Sequence, residues 1–239
     1  MGANRDGSMT QKVAVLLPAL NEETTIGRVI DDIPLEALEE RGYEPEVLVV
    51  DGHSTDRTQE IALSKGARMI IQRGRGKGDA IRSAFKEFDG DYLFMLDSDN
   101  TYPPMYILNM LNHLDGQGYD VVMGSRLGGY IEPGAMTRVN RFGNVVLSAT
   151  ANAFFPNGHK TTDVCTGMWG FRGDIVKDLV ITANHFEVEA EMYAKCVKNG
   201  YKIGEIPIRY GRRKTPSKLL SIRDGCKIFW KLCKLKTEH

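Results

Sequence analysis

Apolar and polar positions along this chain follow two periods. Short apolar blocks that end in polar or glycine-containing turns alternate with longer stretches whose apolar residues recur every three or four positions. The blocks have the length and β-branched content of buried strands, and the stretches have the spacing of amphipathic helices. Lys12 to Leu17 (KVAVLL) reads as a first strand closing at Pro18, and ALNEETTIGRVIDDI as the helix after it. Glu46 to Val50 reads as a second strand that leads through DGHSTDRT into the helix TQEIALSKG, closed by Gly66. Arg68 to Ile71 gives a short third strand, RGRGKGD a glycine-spaced loop, DAIRSAFKEF a helix, and Asp91 to Leu96 (DYLFML) a fourth strand. Strand and helix alternating in this way predict an α/β domain with a mostly parallel sheet and helices on both faces.

The pattern is less regular beyond residue 100. Tyr119 to Met123 predicts a strand ending at Gly124-Ser125-Arg126, followed by a glycine-rich loop and a helix within TRVNRFGNVVLSATANAFF. After TDVCTGMWGFRGD come the helix HFEVEAEMYAKCVKNG, the strand YKIGEIPIRY and a basic tail. No internal repeat or low-complexity linker interrupts the chain, so a single domain is expected over residues 12–220. Residues 1–11 are polar and read as a disordered leader or an expression remnant. Residues 221–239 form a separate basic, amphipathic tail.

Composition narrows the function classes. Lys plus Arg and Asp plus Glu both number 31, so the net charge gives no case for nucleic acid as a partner, and electrostatic function must come from local clusters. Cys165, Cys196, Cys226 and Cys233 show no CxxC spacing. They read as reduced thiols in a cytoplasmic protein. No apolar run approaches the roughly 20 residues that span a bilayer. Oligomeric state is left open.

Three polar clusters fall at the carboxyl ends of predicted strands, where ligands of open α/β sheets bind. They are Asn21-Glu22, Asp51 to Asp56, and Asp97 to Asp99. Alternate residues of an extended segment point the same way, so Asp97 and Asp99 can aim two carboxylates at one cation. An Asp-rich turn explains the same residues. The backbone N–H groups of RGRGKGD and its Lys77 suit phosphate, although the loop lacks the Ser or Thr that follows Lys in a nucleotide-binding P-loop.

Nine segments in fixed order resemble the family 2 glycosyltransferases, most closely the dolichol-phosphate mannose synthase and polyprenyl-phosphate glycosyltransferase branch. They are LLPALNEE, VVDGHSTDRT, GKGDAIRSAF, MLDSDNTYPP, MGSR, TDVCTG, FEVEAEM, GEIPIRY and RRKTPSKL. The resemblance implies the Rossmann-like fold called GT-A and an inverting transfer of a hexose from a GDP- or UDP-linked nucleotide-sugar to a polyprenyl or dolichyl phosphate. It implies that Asp97 and Asp99 hold Mg²⁺ or Mn²⁺, with Thr101 standing where the family often has a Gln as a further ligand. It places Pro18, Asn21, Glu22, Asp51, Lys77 and Ser98 against the nucleotide-sugar and makes Arg126 a phosphate-binding arginine. Asp163 falls near the acceptor phosphate and donor sugar, so the implied catalytic set is Asp97, Asp99, Asp163 and Arg126. Arg212, Arg213 and Lys218 match a cationic segment over the donor pyrophosphate, with either arginine able to face inward. Trp169 replaces an Arg found elsewhere in the family, and is read either as a sugar platform or as core.

Other expectations rest on the residues alone. Ser54 or Asp56 caps the helix after the second strand. Glu187, Glu189 and Glu191 read as carboxylates at a helix N-terminus, with Glu189 or Asp163 available as a base if the acceptor is a sugar hydroxyl. A soluble acceptor on the same fold and a noncatalytic nucleotide-sugar-binding subunit are the alternatives. In the tail, Ile228, Phe229, Trp230, Leu232 and Leu235 lie among Lys227, Lys231, Lys234 and Lys236. That pattern fits a short helix resting peripherally on the cytoplasmic face of an anionic membrane, or packing on the protein's own core.

Overall fold

A computed structural model describes residues 10–214 and 221–238. Residues 1–9 of the expected leader and Lys218 lie outside the described residues, while Gln11, expected at the end of that leader, opens the first strand. In chain order the elements are β1 (Gln11–Ala19), α1 (Ile26–Asp31), α2 (Leu35–Glu40), β2 (Tyr43–Asp51), α3 (Thr58–Ser64), β3 (Arg68–Ile71), α4 (Lys77–Glu87) and β4 (Tyr92–Met95). There follow α5 (Tyr106–Leu111), β5 (Val121–Ile131), α6 (Arg138–Phe154), β6 (Trp169–Arg172), α7 (Gly173–Asp178), α8 (Val188–Lys198), β7 (Ile203–Tyr210) and α9 (Ser221–Thr237).

The strands form one seven-stranded sheet in the order β3-β2-β1-β4-β6-β5-β7. Pairings β1–β2, β1–β4, β2–β3 and β5–β7 are parallel, and β6 runs antiparallel to both β4 and β5. Six strands therefore point the same way, and their carboxyl ends line one edge. The reversed strand β6 begins at that edge, which brings the segment before it, residues 163–168, to the same place.

Apolar side chains of β1 alternate between two layers, with Val13, Val15 and Leu17 in one and Ala14 and Leu16 in the other. A strand buried on both faces reads as a continuous apolar run, as a parallel sheet requires. The layer containing Leu16 also takes in Trp169, Phe171, Tyr193 and, from α9, Ile228, Leu232 and Leu235.

Several local expectations are corrected. β1 does not stop at Pro18 but runs to Ala19, with Pro18 in register with Val50 of β2. The pairing with β4 ends at Leu16 and Met95, so at Pro18 the strand has a neighbour on one side only, where a missing N–H is tolerated. The helix after it is shorter than expected because Asn21, at φ 50°, turns the chain toward the next loop. β5 continues past Gly124 through Arg126 to Ile131, with an irregularity between Ser125 and Tyr130. Lys77 opens α4 instead of lying in the loop. Gly76, at φ 92°, approaches Asn184 and His185 so closely that a Cβ would lie 2.3 Å from the Asn184 carbonyl oxygen. Trp169 is core: it stacks on Phe171 at 5.6 Å and donates its indole N–H to Thr166 O at 2.8 Å.

Candidate active site

Asp97 and Asp99 sit just past β4, and each is paired with a cation. Lys77 Nζ lies 2.5 Å from Asp97 Oδ1 and 2.6 Å from Glu189 Oε1. Arg213 Nη2 contacts Asp99 Oδ2. The other oxygen of Asp99 accepts the Thr101 hydroxyl at 2.6 Å and the Thr101 N–H at 3.0 Å. Thr101 thus holds the motif's turn through Asp99, and its hydroxyl is directed at that carboxylate. Ser98 ties the turn back to β1 by donating its hydroxyl to Pro18 O at 2.8 Å. Gly167 makes room for the first carboxylate, since a Cβ there would lie 2.5 Å from Asp97 Oδ2.

The electrostatics follow from this crowding. Burial, then the Asp97 charge, push the Asp99 carboxyl up against the pull of Arg213 and Thr101. Burial likewise raises Glu189 against the pull of Lys77. Burial opposes the charge on Lys77, but the Asp97 and Glu189 carboxylates outweigh it and hold the ammonium above its ordinary value.

Arg126 and Asp163 form a second buried unit. Arg126 donates from Nε to Asp163 Oδ2 and from Nη2 to Oδ1, both at 2.7 Å, and from its backbone N–H to Oδ2 at 3.0 Å. Nη2 also reaches Cys165 O at 2.8 Å. Two edges of the guanidinium are therefore taken by protein, leaving less of Arg126 for phosphate than the sequence suggests. The bidentate geometry makes it a brace between β5 and the start of the segment leading to β6.

At the carboxyl end of β2, Asp51 is fully buried. Its Oδ2 accepts Ser54 N–H at 2.9 Å and the Gln59 amide at 2.8 Å. Its Oδ1 has no hydrogen-bond partner among the described residues. A buried carboxylate oxygen left open in a cleft is a place for a ligand N–H or O–H. Asn21 knits two loops instead, its Oδ1 accepting Thr55 N–H at 2.8 Å and its own N–H reaching Ser54 Oγ at 2.9 Å. Asp56 accepts the Thr58 N–H at 3.0 Å, but it stands one residue before Arg57, the N-cap of α3, so neither Ser54 nor Asp56 occupies the expected cap position. Glu22 is buried, and its carboxylate accepts the Thr25 hydroxyl at 3.0 Å.

Two clefts meet at Asp97. One, of about 260 Å³, is lined by Pro18, Glu22, Gly52, Gln72, Ser98 and Asp99 among others. The second, of about 630 Å³, runs between α6 and α9 and is lined by Val139, Phe142, Val146, Ile222, Phe229 and Trp230 among others. Lys77, Asp97, Phe186 and Arg213 line both. Of the two arginines after β7, Arg213 faces inward, while Arg212 turns away, its N–H reaching Glu132 at 3.2 Å and its Nε the Pro133 carbonyl. The sequence reading missed the part played by α6, although Val139, Phe142 and Val146 stand at i, i+3 and i+7 and so share one helix face.

α9 both packs on the core and leaves an apolar face outside. Ile228, Leu232 and Leu235 are buried, whereas Trp230 is 70% and Ile222 78% exposed. A charged latch fixes the docked side: Lys231 Nζ lies 3.1 Å from Glu191 and 2.8 Å from Thr182 Oγ1. Glu191 also accepts the Ala183 N–H at 2.6 Å and pairs with Lys195 at 2.8 Å. Burial opposes its charge, but these partners hold its carboxyl down at about 2.

Residues 14–180 match the model of Glycosyl transferase family 2. The chain belongs to this family. Among its relatives, the glycosyltransferase AglJ of Haloferax volcanii is 39% identical over 224 residues, covering 92% of this chain and 70% of that protein. The dolichyl-phosphate hexose transferase of the same organism is 36% identical over 227 residues, covering 95% of each. A solved structure of glucosyl-3-phosphoglycerate synthase from Mycobacterium tuberculosis, in complex with Mn²⁺, uridine-diphosphate-glucose and phosphoglyceric acid, superposes with a TM-score of 0.75. It covers 95% of this chain and 80% of that one at 23% identity, a likeness of fold. This family 2 glycosyl transferase thus has the single α/β domain of the GT-A type that its sequence implies, with Asp97 and Asp99 at the carboxyl edge of the sheet.

Proposed function

We propose that this glycosyl transferase moves a hexose from a nucleotide-sugar to a polyprenyl or dolichyl phosphate, with inversion, at the cytoplasmic surface of a membrane. The observation that carries the reading is the apolar groove between α6 and α9 opening onto Asp97. A soluble acceptor has no use for a wall of Val139, Phe142, Val146 and Trp230, while an isoprenoid chain gains by burying itself there. Phe142, 72% exposed, continues that wall to the outer surface, as do Ile222 and Trp230. No helix among the described residues is long and apolar enough to cross a membrane. The reading assigns contact with the bilayer to these side chains and the basic residues of α9.

Asp97 and Asp99 suit a hard divalent cation. Around the point where the clefts meet stand four carboxylates, Asp97, Asp99, Asp163 and Glu189, against three cations, Lys77, Arg126 and Arg213. The surplus is negative and carried by carboxylate oxygens, which favours Mg²⁺ or Mn²⁺ over a thiolate- or imidazole-seeking metal. Among the described residues no three His, Cys, Asp or Glu converge into a complete cage, so substrate phosphate oxygens would complete the coordination. Such an ion would supply Lewis-acid stabilisation of the leaving diphosphate. The chain's own residues do the rest. Asp51 Oδ1 takes a base or ribose hydrogen, Glu22 lines the same cleft, and Arg213 with Lys77 faces the phosphates. An acceptor phosphate is already ionised and needs no base.

Purified protein incubated with Mn²⁺, a panel of labelled UDP- and GDP-sugars and a long-chain prenyl phosphate tests this reading. Label is expected in the organic phase for one donor. Transfer only to water-soluble acceptors would point instead to Glu189 as a base acting on a hydroxyl. Absence of transfer and of donor hydrolysis with every sugar would favour a noncatalytic binding role.

A further inference from the structure

Each oxygen of Asp99 faces a partner, although Oδ2 is buried without a hydrogen bond and has only the charge contact with Arg213. Oδ1 holds Thr101 through two hydrogen bonds, at 2.6 and 3.0 Å, and Oδ2 holds Arg213. The two partners differ in kind. Thr101 belongs to the same tight turn, in which Asn100 adopts φ 62°, and its bonds are fixed by local geometry. Arg213 arrives from beyond the end of β7, where the backbone is tied to the motif by the Gly211 N–H donating to Thr101 O at 2.8 Å. Its neighbour Arg212 is committed to Glu132 and Pro133. The guanidinium of Arg213 is thus the movable partner: a long side chain, lining both clefts, on the one oxygen of Asp99 that a metal would need.

A divalent ion and a guanidinium cannot share that oxygen. Both are cations, and at contact distance in a site shielded from water their repulsion is strong. Resting on the reading of Asp97 and Asp99 as the metal centre, we propose that Arg213 is the resident counter-cation of Asp99 and that a divalent ion binds by displacing it onto the donor's phosphates. The exchange has a definite thermodynamic form. Metal alone finds Asp99 available only in the fraction of molecules whose Arg213 pair is open, so its apparent affinity is reduced by that fraction. A nucleoside diphosphate offers the released guanidinium a bidentate partner and removes that penalty. Metal and diphosphate therefore help one another through Arg213, and the help is reciprocal.

The test is a single substitution with opposite signs in two assays on the full chain. Free Mn²⁺ is titrated by electron paramagnetic resonance without nucleotide, and UDP and GDP are titrated by calorimetry in saturating Mn²⁺. Arg213→Gln is expected to bind Mn²⁺ alone about tenfold more tightly than the native protein, the factor expected if the pair is open in roughly one molecule in ten. The same variant is expected to bind the nucleoside diphosphate that the native protein accepts about tenfold more weakly. Arg213→Lys keeps the charge and is expected to follow the native protein in the Mn²⁺ titration, which separates charge from packing. Weaker or unchanged Mn²⁺ binding by Arg213→Gln overturns the exchange while leaving the metal centre in place. If the native protein and both variants bind no Mn²⁺, with or without nucleotide, the metal centre itself falls and the exchange with it.

Discussion

The two clefts that meet at Asp97 are built by opposite means. The smaller is walled by strand ends and turns, and its chemistry is carried by buried charges whose partners come from distant segments: Lys77 with Asp97 and Glu189, Arg213 with Asp99. The larger is walled by two helices, and its apolar side chains remain exposed. Position in the first is fixed by the sheet's hydrogen-bond ladder, so a carboxylate can be aimed to within a fraction of an ångström. The second depends on helix packing, which tolerates a range of apolar shapes. A charged, defined ligand suits the first wall, and a long, repetitive chain suits the second.

The seam between the clefts is where the comparison breaks most severely. Asp163→Ala leaves Arg126 buried without its bidentate partner, and about 3–5 kcal/mol of stability is expected to be lost, read as a lower urea midpoint with unchanged slope. Next come the carboxylates proposed to hold a metal: Asp97→Asn and Asp99→Asn are each expected to reduce kcat by about 10² to 10³ or more, about 3–4 kcal/mol of transition-state stabilisation, with an unchanged circular dichroism spectrum. Activity surviving in excess EDTA would remove the metal from that account.

Substitutions in the groove sharpen the contrast in the other direction. Phe142→Ser together with Trp230→Ser is expected to lower kcat/KM for a long-chain prenyl phosphate by roughly tenfold or more, from the lost burial of two large side chains, while leaving the donor KM unchanged. An equal loss with a short, water-soluble prenyl phosphate would show that these side chains shape the catalytic centre and not the lipid path.

The smallest effect at neutral pH lies in the α9 latch. Glu191 titrates near 2 in the folded chain against an ordinary value of 4.5, so its stabilising contribution is present above the ordinary value and lost as pH falls through the folded one. The protection of α9 amides, taken relative to the intrinsic exchange rate at each pH, is expected to fall between about pH 4.5 and pH 2, ahead of that of β1. Lys231→Met is expected to weaken that acid dependence, since it removes one of the partners holding the carboxylate ionised.

Legibility from sequence follows the same division. The run of β1, β2 and β4 was readable because strands buried on both faces are continuous apolar blocks, whereas β3, a half-exposed edge strand, was readable from its Met-Ile-Ile run set between Gly66 and the glycine-spaced loop. Asp97 and Asp99 were readable because both determinants of their geometry, a strand end and a spacing of two, are local. What was not readable depends on pairing at a distance. The partner of Arg126 is 37 residues away, on a segment that reaches the site only because β6 runs backward. The choice between Arg212 and Arg213 turns on Glu132, which hydrogen bonding places beneath Arg212. The continuation of β1 through Pro18 depended on knowing that β4 stops pairing at Met95. α9 was read as either resting on a membrane or packed on the core; Ile228, Leu232 and Leu235 pack, and a second apolar face with Ile222 and Trp230 stays exposed.

The reversed strand β6 also sets the order in which the chain can assemble. β1 to β4 lie within the first hundred residues and can pair as the chain emerges from the ribosome, but β4 then presents Tyr92–Met95 with one ladder edge open. That edge stays open until residues 169–172 have been synthesised, more than seventy residues later, when β6 fills the gap and lets β5 and β7 join. Pairing across so long a separation is slow, and an apolar open edge invites the wrong partner while it waits. The nascent half-sheet is therefore the species that a holding chaperone would find, and the point at which a destabilising change in β6 would divert the chain toward aggregation.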